Sequence, residues 1–187
     1  MTRVRRSKNL AMAVVAGAVT PVLLAGCSED EPKAVPELPA RVCWGAFSGS
    51  DLTPFLPAGE KVTVSDGDFA MDESLDAETC SVDVDGITRF MAHAVLREFE
   101  GEIEWSSWDG RDPRPLDMGE KGLIWDGGAA THFVCEPSKS PSDPGKYIAL
   151  YVDTLWQVDT AKTQSAVPGL LERFMTFAQR ELKCPAG

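Results

Sequence analysis

CSVDVDGITRFMAHAVLREF, residues 80–99, is the stretch whose reading decides the fold. Val82 and Val84 alternate with Ser81 and Asp83. Asp85-Gly86 follows, and then a second β-prone run from Ile87 to Phe99. Asp-Gly between two such runs is the favoured type I′ hairpin turn, because both central residues need positive φ. Asp83-Val84-Asp85-Gly86 also resembles part of a calcium loop, but the register fails. With Gly86 at the sixth position, Ser81 takes the first and Ala92 the twelfth, where a bidentate Glu is required.

Working outward, Gly101 to Gly122 is a long connection containing WSSWDGRDPRP. Leu123-Ile124-Trp125 reads as a strand, Asp126-Gly127-Gly128 as a tight turn, and Ala129 to Cys135 as the strand's partner. Residues 136–145, EPSKSPSDPG, read as a surface loop, and Tyr147 to Trp156 as a strong strand. The carboxyl end predicts a helix capped by Ser165, with Pro168 in its first turn. Val167, Leu170, Leu171, Phe174, Phe177, Ala178 and Leu182 make one apolar face. Towards the amino end, residues 59–79 are acidic and loop-like, with a short strand at Val62 and Val64. Residues 41–58 suggest a short helix, a break at Ser48-Gly49, then a helical turn capped by Ser50 or Asp51 and stopped by Pro57. The order helix, hairpin, hairpin, strand, helix predicts an α+β fold. Its sheet would be mostly antiparallel, with an N-terminal helix and a C-terminal amphipathic helix. Each half would hold one helix, strands and two cysteines, but no convincing repeat is present.

The chain has 187 residues, 43% hydrophobic and 25% charged, an ordinary globular composition. Lys plus Arg number 18 and Asp plus Glu 29, a net charge of −11. Residues 1–26 hold four bases (Arg3, Arg5, Arg6, Lys8) and no acid, so the remainder carries 14 bases against 29 acids, or −15. A field of that sign repels phosphate backbones, which argues against nucleic-acid binding.

Residues 1–9 are basic, and Leu10 to Gly26 is an uncharged apolar run broken by Pro21. That pattern predicts a secretory signal peptide over 1–26. Leu24-Ala25-Gly26-Cys27 resembles the bacterial lipobox. The resemblance implies cleavage between Gly26 and Cys27, and acyl chains such as palmitate on the Cys27 sulfur and new amino group. Each buried methylene then contributes about 0.8 kcal/mol of anchoring. Arg5-Arg6 only partly matches a twin-arginine signal, which leaves either export route open. From Ser28 to Ala40 prolines and acids predominate, predicting a tether over 27–40 and a single extracytoplasmic domain over 41–187. Its expected place is the outer face of the bacterial cytoplasmic membrane, with the bilayer a partner through Cys27.

With Cys27 set aside, Cys43, Cys80, Cys135 and Cys184 remain, an even number that implies two disulfides in an exported domain. Three pairings are open. Cys43–Cys80 with Cys135–Cys184 is favoured, because each pair joins neighbouring elements and staples one half. No CxxC occurs, and His93 and His132 lie at no ligand-like spacing from a cysteine, so neither metal nor cofactor is expected.

The segments CWGAFS, CSVDVDG, HFVCE and FMTFAQRELKC, across residues 41–184, resemble an uncharacterised class of actinobacterial cell-surface lipoproteins with a four-cysteine frame. The resemblance implies architecture and location, and carries no catalytic residues.

His93 and His132 on strands could face each other as a proton-transfer pair, or simply line a sheet. No GxSxG or SxxK occurs, so hydrolase chemistry has no motif. Asp66, Asp68, Asp72, Glu73, Asp76 and Glu78 read as a solvated acidic loop rather than a cation site. Trp105 and Trp108, with Arg111, Asp112 and Arg114, are the candidate binding surface, since aromatic faces with a polar rim suit sugar stacking or protein docking. The alternative tucks them under the loop. Trp44, Trp125 and Trp156 are expected in the core. The leading expectation is a non-enzymatic binding module that meets an envelope glycan or protein. The rivals are an accessory subunit of an envelope complex, and a hydrolase assembled from His93, Asp153 and a serine.

Overall fold

Strands β4 (Ala77–Val84) and β5 (Ile87–Arg97) form the expected hairpin. At its turn Asp85 and Gly86 take φ of 53° and 77°, as a type I′ turn requires. The Asp85 carboxylate accepts the Glu60 and Lys61 N–H groups at 3.0 and 2.9 Å, which holds the preceding segment against the turn. The structure is a computed structural model that describes residues 34–71, 75–155 and 160–185. The expected signal peptide, Cys27, the first part of the expected tether, Asp72, Glu73 and Trp156 lie outside the described residues.

Strands β3 (Val62–Ser65), β6 (Arg114–Leu116), β7 (Lys121–Trp125), β8 (Gly128–Glu136) and β9 (Lys146–Thr154) complete a seven-stranded sheet. Its order is β3-β4-β5-β9-β8-β7-β6, with every neighbouring pair antiparallel. The last strand in the chain thus closes the sheet between the two hairpins. One face carries Val82, Phe90, Ala92, Leu150, Val152 and their neighbours, all buried. Against it lies α2 (Thr160–Glu181), through Val167, Leu170, Leu171, Phe174, Phe177 and Ala178. The α+β architecture is as expected, and the disulfides are Cys43–Cys80 and Cys135–Cys184. No described helix is long and apolar enough to cross a membrane.

Three expectations need correction. The helix before residue 48 is instead a two-stranded ladder, β1 (Arg41–Val42) with β2 (Phe47–Ser48). Cys43, Trp44 and Gly45 between them have φ of 51°, 59° and 87°. Three left-handed residues in a row cannot continue a right-handed helix. Their reversal lets Cys43 reach Cys80 while Trp44 packs on Phe69, Phe174 and Phe177. Second, α2 begins at Thr160, so Pro168 lies inside it, where the ring removes one helical hydrogen bond. The apolar spacing begins only at Val167 and could not reveal the earlier start. Third, the acidic stretch is not uniformly solvated. Asp66 accepts the Trp44 N–H at 2.7 Å, Asp76 pairs with Arg97 at 3.0 Å, and Glu78 is buried within β4.

The helical turn α1 (Gly49–Leu52) is capped by Ser48, not Ser50 or Asp51, in a capping box with Asp51. Burial alone would raise the Asp51 carboxyl, but the Ser48 hydrogen bonds and the Arg173 charge outweigh it and hold it below the ordinary 3.8. A lowered folded value means stability that is fully present above about pH 4 and lost as pH falls through that lowered value. Asp51→Asn is expected to flatten the acid limb of a stability-against-pH curve. An unchanged limb would remove Asp51 from the account.

Candidate functional site

The opposite face of the sheet presents the other parity: Met91 and His93 on β5, Tyr151 and Asp153 on β9, His132 on β8 and Trp125 on β7. The connection leaving β5 folds back over part of this face as two 3-10 turns, Glu100–Glu102 and Trp105–Arg111. Ile103 is buried against Tyr147 and Ala149, which pins the strap down. The ring of Trp105 then meets His132 at 5.6 Å, with the Lys121 ammonium 4.4 Å from the Trp105 ring centroid. Trp108 stacks on Trp125 at 5.8 Å and presents itself edge-on to Tyr151 at 6.0 Å. Both strap tryptophans remain half-buried. Gly128 makes this possible, since a Cβ there would stand 2.5 Å from the Trp125 indole nitrogen.

Arg111 locks the end of the strap. Its guanidinium pairs with Asp153 and lies over the Trp125 ring at 5.5 Å. Burial pushes the Asp153 carboxyl up, and Arg111 only partly offsets this. Burial, followed by the Asp153 charge, likewise raises the Tyr151 phenol. Arg111→Met leaves a buried carboxylate without its counter-charge and is expected to cost about 2 kcal/mol of stability. The double variant Arg111→Met/Asp153→Leu should recover part of that loss in urea denaturation. If the two changes simply add, the pairing is energetically empty.

Beyond the strap, on the β4–β5 part of the face, Thr79 is exposed and Ser81, Met91 and His93 are half-buried. Thr79, Ser81, Met91 and His93 form a floor there, bounded on one side by Trp108 and Tyr151. Thr79 Oγ1 and His93 Nδ1 are 2.6 Å apart, His93 packs on Tyr151 at 4.8 Å, and the Tyr151 hydroxyl lies 3.9 Å from Met91 Sδ. Burial, then the Arg97 charge, lowers the His93 imidazole, against a smaller opposing pull from Asp76. The result is a ledge: a floor of hydroxyl, thioether and imidazole groups with an aromatic wall.

Of the candidate binding residues, Trp105, Trp108 and Arg111 gather here, whereas Arg114 sits exposed on edge strand β6, opposite Ile124. Asp112, with φ of 50°, ends the strap. Trp125 is fully buried, as a core residue should be, but it belongs to this second face and not to the core beneath α2. Its position in β7 fixes that parity. The two histidines do not form a pair: β9 stands between them, with His93 opposite Tyr151 and His132 opposite Ala149. His132 is fully buried, its Nε2 3.3 Å from a Glu100 oxygen. Nor do His93, Asp153 and a serine assemble, since Asp153 pairs with Arg111 and His93 Nδ1 with Thr79. Tyr151 and Thr79 escaped the sequence reading. The polar parity of Tyr147, Tyr151 and Asp153 within an otherwise apolar β9 is the one signal that could have found this face. Among the described residues no three His, Cys, Asp or Glu side chains gather as a metal cluster. No family model, curated protein or solved structure matches the chain.

Proposed function

We propose that the chain is an extracytoplasmic lipoprotein, held on the outer face of a bacterial cytoplasmic membrane by acylated Cys27, and that its domain binds an envelope component without transforming it. The observation that carries the binding reading is the ledge. Trp108 and Tyr151 are half-buried beside a floor of Thr79, Ser81 and His93, groups that donate and accept hydrogen bonds. Aromatic rings beside hydroxyls suit a glycan, and aromatic anchors are typical hot spots. The two disulfides support an oxidising compartment, and the acidic body leaves nucleic acid an unsuitable partner.

An array of bacterial envelope glycans tests the ledge. Trp108→Ala should weaken a positive glycan at least tenfold, while Trp44→Phe on the far face leaves it unchanged. Equal binding by the Trp108 variant would move the site elsewhere. An array with no positive, combined with a specific crosslink in intact membranes, would favour the accessory-subunit reading. Lipid labelling tests the anchor separately, because Cys27→Ser should abolish incorporation and retained label would refute the lipobox.

A further inference from the structure

Met91 and His93 stand two residues apart on β5, so their side chains leave the same face of the sheet about 7 Å apart at their roots. Both close on one ring. The Tyr151 phenol lies 4.8 Å from the His93 imidazole, and its hydroxyl is 3.9 Å from Met91 Sδ. Thr79 engages Nδ1 of His93 at 2.6 Å. When Nδ1 carries the hydrogen and donates it to Thr79 Oγ1, the Nε2 lone pair is left for a ligand, the arrangement by which an outer partner orients a metal-binding imidazole. Two carboxylates close by are paired, Asp153 with Arg111 and Asp76 with Arg97. On this patch a thioether and an imidazole stand half-buried, with an aromatic wall beside them.

We propose that Met91 Sδ and His93 Nε2 form a two-donor site for a soft monovalent cation, Cu(I) or Ag(I). Thioether sulfur selects soft metals, and with no carboxylate contributed, the site disfavours Mg2+, Ca2+ and Zn2+. The expectation of no metal site rested on Cys and His spacing and did not count methionine. The cysteines of the domain do not compete, because all four are in disulfides. This proposal stands apart from the glycan reading, since it needs the floor of the ledge but not the strap tryptophans.

The test uses silver nitrate, a redox-inert soft cation, with the full mature protein in chloride-free buffer. One equivalent of Ag(I) is expected to bind. Met91→Leu and His93→Gln should each weaken it at least tenfold, and excess Zn2+ should not displace it. In the unsubstituted protein the Met91 methyl and His93 Nε2 resonances should shift on Ag(I) addition, a readout independent of how either variant folds. Unchanged affinity in both variants, shifts confined to Met118 or Met175, or equal competition by Zn2+ would each overturn the site.

Discussion

Phe174→Ala is expected to lower the unfolding free energy by about 3–5 kcal/mol, the range for a large aromatic removed from a close-packed core. Phe174 is fully buried on α2 and meets three other segments. Trp44 stacks on it at 5.8 Å, Phe47 lies at 5.9 Å and Phe69 at 6.3 Å. It therefore joins the helix to the left-handed reversal at Cys43–Gly45, to β2 and to the segment after β3. Truncation removes the apolar area and leaves a cavity. The cavity cannot readily collapse, because Trp44 is restrained next to a disulfide-bonded residue and Phe47 packs edge-on against Phe90 at 5.4 Å. Chemical denaturation at constant m-value reads the loss. A change under about 1 kcal/mol would mean the aromatic cluster repacks, and that α2 is held chiefly by its other contacts.

Removing the Cys43–Cys80 disulfide as the Cys43→Ser/Cys80→Ser double variant is expected to cost about 4 kcal/mol. The two cysteines lie 37 positions apart in sequence, so the bridge removes a large closure entropy from the unfolded chain. Both cysteines are fully buried, and serine adds the cost of placing hydroxyls in the apolar layer beneath α2. The Cys43→Ala/Cys80→Ala variant separates the two contributions, since it should lose the closure term and retain the apolar character. Equal midpoints for oxidised and doubly substituted protein would show that the β1–β2 ladder needs no covalent tie. Mass mapping without reductant should meanwhile find no free thiol in the domain.

The local elements were readable because their causes are local. Asp85-Gly86 specifies a hairpin through the φ values its two residues accept, and between β7 and β8 Gly127 alone supplies the positive φ, 93°. The three- and four-residue steps from Val167 to Ala178 specify a helix with one apolar stripe. The N-terminal ladder was not readable. Two-residue strands have no period, and the left-handed run at Cys43–Gly45 is imposed by a bridge to Cys80 and a pocket for Trp44 that exist only in the fold. The tryptophan strap was visible as an unusual composition, yet its partners were not. His132, Tyr151 and Asp153 come from strands distant in sequence, and only the placement of β9 between β5 and β8 brings them under one loop.

The sequence by itself determined the two hairpins, the terminal helix, the pairing-ready cysteines and a net acidic charge. Those depend on turn dihedrals, periodicity and charge, each expressed within a few residues or as a simple sum. Tertiary structure alone decided the strand order, and with it which face Trp125 lines and why His93 meets Thr79 and Tyr151 and not His132. A strand's edge hydrogen bonds are the same whichever neighbour they join. The choice of neighbour follows from burying two faces at once, one beneath α2 and the other beneath the strap.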